Sequence, residues 1–204
     1  MASTVTVEKV ALEHEKAEPP SEAKTSADAV ATKYFSLVEV VLRFLLFASA
    51  LVAVVVLVTS KQTKGFMFPP FPMLVTRTAK FNHSPALIYL VAALSVTGFY
   101  AIFSTLLSFY SLLKPGCFTK ALSHLIILDV LLLGIVASAT GASGGVAYIG
   151  LKGNSHVGWM KVCNVYGKFC RHVGASVAIS LFGSIVLVLL VLLSVYSLSK
   201  KIPK

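Results

Sequence analysis

Long apolar runs separated by short polar connections dominate the sequence. Four runs each contain about twenty or more predominantly apolar residues, and they cover residues 38–58, 87–113, 122–148 and 173–198. A helix rises about 1.5 Å per residue, so about 20 residues cross the roughly 30 Å hydrocarbon core of a bilayer. The pattern predicts an all-α fold, in which four transmembrane helices form a bundle within residues 34–199.

The two ends of the chain lack this pattern. Residues 1–33 hold six of the eight acidic residues, with lysines and two prolines among them, and show no sustained apolar period. Such a composition is typical of disorder, so residues 1–33 are predicted to form a disordered cytosolic tail and residues 200–204 a second, short one. Since no cleavable signal sequence is expected in the first tail, the first apolar run should itself direct insertion.

Composition points to the same class. Hydrophobic residues make up 56% of the chain and charged residues 13%, which indicates a protein embedded in lipid and excludes an ordinary water-soluble domain. The apolar runs contain no nucleophile beside a base, no CxxC pair and no cluster of His or Glu ligands. We therefore expect no enzyme, no cofactor and no metal site. The main expected partner is the lipid bilayer, not nucleic acid.

Three residues inside the runs carry a formal charge, which is costly in hydrocarbon and points to function. Glu39 and Arg43 lie four residues apart on one face of the first helix, and Asp129 lies in the third. One interpretation is a local Glu39–Arg43 pair, with the arginine reaching to the headgroups. The favoured interpretation is an ion pair between Arg43 and Asp129, because helices that run in the same direction place both residues about 10 to 14 Å deep.

Small and hydroxyl-bearing residues recur at helical spacing in the second and third runs. The second run has a face made of Thr97, Ala101, Ser104 and Ser108. The third run has two adjacent stripes, which are Ala137, Gly141 and Gly145, and Gly134, Ser138 and Ala142. Such residues let helix backbones approach closely in lipid. For the third helix the favoured interpretation is an internal packing face, and a surface for self-association is the alternative.

The first connection, residues 59–85, has an aromatic and proline-rich centre that reads FMFPPFPM. Its prolines predict neither a helix nor a central strand there. Aromatic residues collect at membrane interfaces, so this stretch is expected to lie at the interface or to contact a partner. The candidate partner surface consists of Phe66, Phe68, Phe71 and, from the last connection, Trp159.

Two candidate modification sites flank the second helix. Asn82 begins an N-x-S glycosylation pattern, but Pro85 and the helix follow it so closely that we expect it to remain unmodified. Cys117 lies in the short turn between the second and third helices. We interpret it as a reduced thiol, with palmitoylation as the alternative.

The last connection, residues 149–172, holds two cysteines with six residues between them, Cys163 and Cys170. A disulfide is favoured, because it would close a small loop on the non-cytosolic side and contribute about 2.5 kcal/mol in the chain-entropy model. The alternative is a zinc site that adds His156 and His172. The spacing of these four residues matches no familiar zinc pattern, so no metal site is predicted.

Orientation does not follow from charge alone. Lysines and arginines outside the helices number nine on the side of the termini and eight in the two other connections, so the positive-inside rule cannot decide. The cysteine pair and the compact basic turn favour cytosolic placement of both termini. The two outer connections then carry net positive charge, which favours contact with acidic polysaccharide or anionic headgroups.

Three stretches carry a family resemblance. They are EVVLRFLLFASALVAVVVLVTSKQT in the first helix, DVLLLGIVASATGASGGVAYIGLKGN around the third, and HVGWMKVCNVYGKFC in the last connection. Together they resemble the Casparian strip membrane domain-like (CASP-like) family of plants, in particular its first subgroup, over about residues 33–201. An arginine in the first helix and an aspartate in the third are hallmark positions of that family, and they match Arg43 and Asp129. The tryptophan and cysteines of its last loop match Trp159, Cys163 and Cys170.

This resemblance implies a fold related to the MARVEL four-helix proteins and a plasma-membrane protein with cytosolic termini. It also implies self-association, as homodimers or as heterodimers with related four-helix proteins. The founding members of the family form immobile membrane scaffolds that recruit cell-wall-modifying enzymes. The first connection departs from those members, because it lacks their acidic, aromatic signature. The expected function is therefore a general scaffold role.

The main alternative function is transport. An intramembrane charge often marks the path of an ion, proton or solute, which would make the chain a transporter, a channel or a regulatory subunit of one. Against this, the runs show no inverted repeat, no proline break and no further polar residues along a route. A claudin-like barrier protein would carry its Trp and Cys pattern in the first outer connection, not in the second.

Overall fold

The computed structural model describes residues 21–68, 73–113 and 119–201. Its main elements are four long helices, α1 (Ser21–Val58), α2 (Pro85–Leu113), α3 (Thr119–Lys152) and α4 (Gly167–Lys201). A β-hairpin between α1 and α2 consists of β1 (Lys61–Phe68) and β2 (Met73–Lys80). Two short 3-10 helices, Phe81–His83 and Val162–Asn164, precede α2 and α4.

Each helix contains a segment that is long and apolar enough to cross a membrane. These segments are Tyr34–Val58, Pro85–Tyr110, His124–Lys152 and Gly167–Ser199. The predicted all-α fold with four transmembrane helices is therefore confirmed. Contacts divide the chain into Met1–Leu37 and Val38–Lys204, and the interhelical contacts of the bundle lie within the second unit.

Helix α1 begins earlier than its apolar run. Residues 21–33, for which a disordered tail is predicted, are helical in the structure, and residues 1–20 lie outside the described residues. Four of its thirteen residues are Ala, which favours helix, and residues added to an existing helix need no new nucleus.

Neighbouring helices are tied together by hydroxyl groups. Three of these bonds run from Ser176 Oγ to the Ala53 carbonyl (2.9 Å), from Thr140 Oγ1 to Ser180 Oγ (3.1 Å) and from Ser143 Oγ to the Ala86 carbonyl (2.9 Å). Each bond joins a position late in one helix to a position early in its partner, so these pairs of helices are antiparallel. Helices α1 and α3 consequently run in the same direction.

The predicted small face of α2 lies inside the bundle. Its four residues are all buried, and they are Thr97, Ala101, Ser104 and Ser108. A Cβ atom at Gly98 would lie 3.8 Å from the Ala50 Cβ of α1, which shows how closely these two helices approach. Small residues allow such approach in lipid, where helix packing replaces the hydrophobic effect as the driving force.

The two small-residue stripes of α3 do not form the internal packing face. All six of their residues are exposed, and the buried side of the helix instead carries Val136, Ala139, Thr140 and Ser143. The favoured interpretation is therefore wrong. Its physical reason lies in Asp129, which precedes Val136 and Ser143 by seven and fourteen residues and so shares their side of the helix. Because Asp129 must face the interior of the bundle and not the lipid, the side of the helix that carries the glycines is exposed.

The first connection forms strands that the sequence interpretation missed. Strands β1 and β2 pair in antiparallel register from Lys61–Lys80 to Phe68–Met73. The sequence interpretation excluded only a helix and a central strand in this connection. A two-stranded hairpin has only edge strands, so it is compatible with that prediction. Phe66 and Phe68 lie in β1, whereas Phe71 falls outside the described residues.

Candidate functional site

The charged residues of α1 and α3 meet inside the bundle. Arg43 Nη2 donates to Glu39 Oε1 at 2.9 Å and to Asp129 Oδ2 at 3.3 Å, and Arg43 Nε donates to the same Glu39 oxygen at 3.3 Å. The side chains of Arg43 and Asp129 are 0% exposed, and that of Glu39 is 19% exposed. The local pair and the interhelical pair thus coexist as one charge triad, which consists of Glu39, Arg43 and Asp129.

Helix α2 contacts α3 close to the charge triad. Tyr100 donates its hydroxyl hydrogen to the Leu125 carbonyl at 3.1 Å, about one helical turn before Asp129. Within the described parts of the chain, Arg43 Nη1 and Asp129 Oδ1 are buried without a hydrogen-bond partner. Sequence reasoning did not find Tyr100, because tyrosines at helix surfaces are common in membrane proteins and its partner is a backbone carbonyl.

The charge triad links α1 to α3 by an ion pair and thereby stabilises their packing. A buried guanidinium between carboxylates fixes the register of α1 against α3, since any sliding would separate opposite charges in a medium of low dielectric constant. Two carboxylates share one guanidinium, and Glu39 is the more exposed of them. No nucleophilic side chain is part of this arrangement.

A second feature is the glycine face of α3, which consists of Gly134, Ala137, Gly141 and Gly145. All four residues are exposed, and a Cβ added at any of the three glycines would meet no atom within 4 Å. The face lies away from Asp129, because its four residues are offset from that position by about 80° to 160° around the helix. It forms a flat strip on a surface otherwise covered by large apolar side chains.

The second connection is closed by a disulfide. Cys163 and Cys170 are joined, with their Cα atoms 5.7 Å apart, so their sulfur atoms cannot serve as the zinc ligands of the alternative interpretation. Among the described residues, no three His, Cys, Asp or Glu side chains form a group that could hold a metal ion. His156 instead takes part in a turn, in which its backbone N–H donates to Asn154 Oδ1 at 3.0 Å.

Trp159 lies beside an apolar cavity where α3 ends and α4 begins. Its backbone pairs with Asn154 through bonds of 3.0 and 2.9 Å, and its side chain is 56% exposed. The cavity has a volume of about 720 Å³. Residues of both helices and of the connection line it, among them Leu151, Trp159, Met160, Phe169 and Val173. Trp159, one residue of the predicted partner surface, therefore lies next to residues of both helix ends.

The hairpin is attached to the second connection by two hydrogen bonds. The Phe169 backbone N–H donates to Gln62 Oε1 at 3.0 Å, and Tyr166 Oη donates to the Arg77 carbonyl at 3.2 Å. These contacts join residues 107 and 89 positions apart in the chain, so no local pattern could have predicted them. Asn82, the candidate glycosylation residue, is exposed in the 3-10 turn that follows the hairpin.

Comparison with known proteins places these features in a family. The family model of the Casparian strip membrane protein domain matches residues 32–186. The chain belongs to the CASP-like family. Among its relatives, CASP-like protein IN26 of Ipomoea nil is 62% identical over 178 residues, which cover 84% of this chain and 90% of the relative. CASP-like protein 1D1 of Populus trichocarpa is 60% identical over 170 residues, covering 83% and 87%.

Family membership confirms the resemblance drawn from the three sequence stretches. CASP-like protein 1D1 of Arabidopsis thaliana is a further relative, 55% identical over 171 residues that cover 84% of this chain and 88% of its own. No solved structure matches the chain. This CASP-like protein is a multi-pass membrane protein, and its charge triad, glycine face and disulfide all lie inside the matched domain. The names of the CASP-like relatives describe no enzymatic activity.

Proposed function

We propose that this CASP-like protein is a non-enzymatic scaffold of the plasma membrane, which self-associates through the glycine face of α3 and organises cell-wall-modifying proteins. The observation that carries the proposal is that this face is exposed to lipid, although its small residues are of the kind that pack helices together. The charge triad holds the opposite side of α3 inside the bundle, so association requires no rearrangement of the fold.

The glycine face suits a second helix better than it suits lipid chains. Lipid tails are as apolar as leucine, so helices associate in a membrane through close backbone contact and not through hydrophobic burial. Three glycines and one alanine, spaced over three helical turns, allow that contact along about 16 Å. A second copy gives homodimers, and a related four-helix protein with a similar face gives heterodimers.

The same proposal places both termini in the cytosol. Disulfides persist in oxidising compartments, and the Cys163–Cys170 disulfide therefore supports an outer position for the second connection. The hairpin is hydrogen-bonded to that connection, so it lies on the same side. Wall-modifying proteins would meet this outer side of the assembly.

Single-particle photobleaching in nanodiscs tests the role of the glycine face. Gly141→Leu should convert dimers and larger assemblies to monomers, because the leucine side chain blocks close approach. The expected decrease in the association constant is about tenfold or more, which corresponds to about 1.4 kcal/mol. Ala178→Leu is the matched control, since Ala178 is also small and exposed but lies on α4. Equal assembly of both variants and the wild type would contradict the proposal.

One observation favours transport as a second candidate function. Four buried polar atoms have no hydrogen-bond partner among the residues that the structure covers, and they are Arg43 Nη1, Asp129 Oδ1, Ser108 Oγ and Ser194 Oγ. Such atoms suit water or a proton within the bundle. Under the scaffold proposal, proteoliposomes should show no proton or ion flux above that of empty vesicles. A flux that Asp129→Asn abolishes would place transport first.

A further inference from the structure

The two outer connections carry eight cations and no acidic residue. These cations are all exposed, and they are Lys61, Lys64, Arg77, Lys80, Lys152, Lys161, Lys168 and Arg171. C-terminal to Glu39, the sequence contains one acidic residue, Asp129, and it is buried against Arg43. Under the proposed topology the acidic N-terminal tail lies on the other side of the membrane. We call this set of eight residues the cationic cap.

The hairpin brings like charges directly opposite each other. Lys61 pairs with Lys80, and Lys64 pairs with Arg77. Directly opposed residues of an antiparallel pair have their Cβ atoms only about 4.5–5.5 Å apart, and like charges at such positions are destabilising. The two pairs lie three residues apart, about 10 Å along the strands, and therefore on opposite faces of the hairpin. Each face carries one pair of cations whose repulsion an external anion would relieve.

The cations of the second connection join the same surface. Tyr166 holds the Arg77 carbonyl, and Gln62 accepts a hydrogen bond from the first turn of α4. Lys64 and Arg77 share the hairpin face of Gln62, since side chains two residues apart point to the same side of a strand. Lys168 and Arg171, in that same first part of α4, are exposed, and the disulfide constrains the segment that contains Lys168.

The cap covers the end of the bundle. The bond from Ser143 to the Ala86 carbonyl places the first turn of α2 level with Ser143 of α3. Helix α3 continues to Lys152, about 13 Å past that level, and the hairpin is attached to the start of α4 on the same side. The four hairpin cations and Lys161 lie outside the membrane segments, where a polymer beyond the bilayer can reach them. Anionic headgroups would meet chiefly Lys152, Lys168 and Arg171, which lie at the ends of those segments.

We propose that the cationic cap binds a linear acidic polysaccharide whose repeating carboxylates neutralise several cations at once. The proposal rests on the scaffold function, because it names what the outer side of the assembly contacts. A single small anion would neutralise one like-charge pair, whereas a polymer spans the Lys64–Arg77 pair and the cations of the second connection, which the Gln62–Phe169 hydrogen bond brings to the same face of the hairpin. Attachment to an immobile polymer would also restrain lateral diffusion of the assembled protein.

Binding of polygalacturonate to the full chain in zwitterionic nanodiscs tests the inference. We expect saturable binding that weakens steeply as salt rises, because exposed charges are screened, and no binding of an uncharged glucan of similar length. The double variant Lys64→Gln and Arg77→Gln should bind roughly tenfold more weakly at low salt. The double variant Lys200→Gln and Lys201→Gln removes the same charge at the other end of α4 and should bind like the wild type.

Several results would overturn the inference. They are absence of polygalacturonate binding at low salt, an equal decrease in both double variants, or binding only to nanodiscs that contain anionic lipid. The last result would assign the cap to the membrane surface. Oligomer size, measured in the same samples, separates this inference from the scaffold proposal. Protein that assembles normally but does not bind polygalacturonate contradicts only the inference about the cationic cap. Monomers that bind polygalacturonate contradict only the scaffold proposal.

Discussion

The Asp129→Ala variant is expected to accumulate to a small fraction of the wild-type amount of folded protein. Removal of this carboxylate leaves the Arg43 guanidinium, 0% exposed, with only Glu39 as a charged partner. Stranding one partner of a buried ion pair costs about 3 to 5 kcal/mol in water-soluble proteins, which is a large part of the stability of a small domain. Arg43→Ala should be as damaging, because it strands Asp129 and Glu39 together. Fluorescence-detection size-exclusion chromatography of detergent extracts measures the folded fraction.

Two further variants show whether the loss arises from the unpaired charge. Glu39→Gln should be much milder, because Glu39 is 19% exposed and the Arg43–Asp129 contact survives. Joint replacement by Arg43→Met and Asp129→Leu should recover part of the lost protein, since apolar residues of similar volume often replace a buried pair at little cost. Normal folded yields for both alanine variants would contradict the structural role of the charge triad.

Gly183→Leu is expected to separate α4 from α1. Gly183 is buried, and a Cβ atom there would lie 3.2 Å from Ser49 Oγ and 4.0 Å from Leu46 Cδ1. A leucine cannot fit without displacing the neighbouring helix, and such overpacking typically costs about 1–3 kcal/mol. A lower midpoint of thermal unfolding in detergent is the expected result.

Ala178→Leu serves as the control for this change on the same helix. Ala178 is exposed, so the added side chain meets lipid or detergent and the unfolding midpoint should stay close to that of the wild type. A similar decrease for both variants would indicate a general effect of leucine on α4. Equal stability of Gly183→Leu and the wild type would contradict the tight contact between α4 and α1.

The number and position of the transmembrane helices could be predicted from the sequence, because lipid requires long apolar helices with internally satisfied backbones. The rotation of each helix was harder to predict. In α3, small residues at a four-residue spacing suggested an inner face, yet Asp129 fixed the rotation. The usable signal was the position of Val136 and Ser143, seven and fourteen residues after Asp129. A charge outweighs small residues because its exposure to lipid costs more.

The first and second connections were less predictable, because their order comes from contacts between distant residues. The hairpin formed where proline and aromatic residues suggested an irregular connection, and its strands contain like-charge pairs that give no pairing signal of their own. Its attachment through Gln62 and Tyr166 joins segments far apart in sequence. For the charge triad, by contrast, the depth of Arg43 and Asp129 in helices that run in the same direction was already visible in the sequence.

Lateral mobility in a plant plasma membrane tests the scaffold claim most directly. With a fluorescent tag at the C-terminus, the wild type and Ala178→Leu should recover slowly after photobleaching and remain in bounded patches. Gly141→Leu should recover fast and uniformly, because it cannot assemble through the glycine face. Fast, uniform recovery of the wild type itself would contradict the scaffold and point to a dispersed protein.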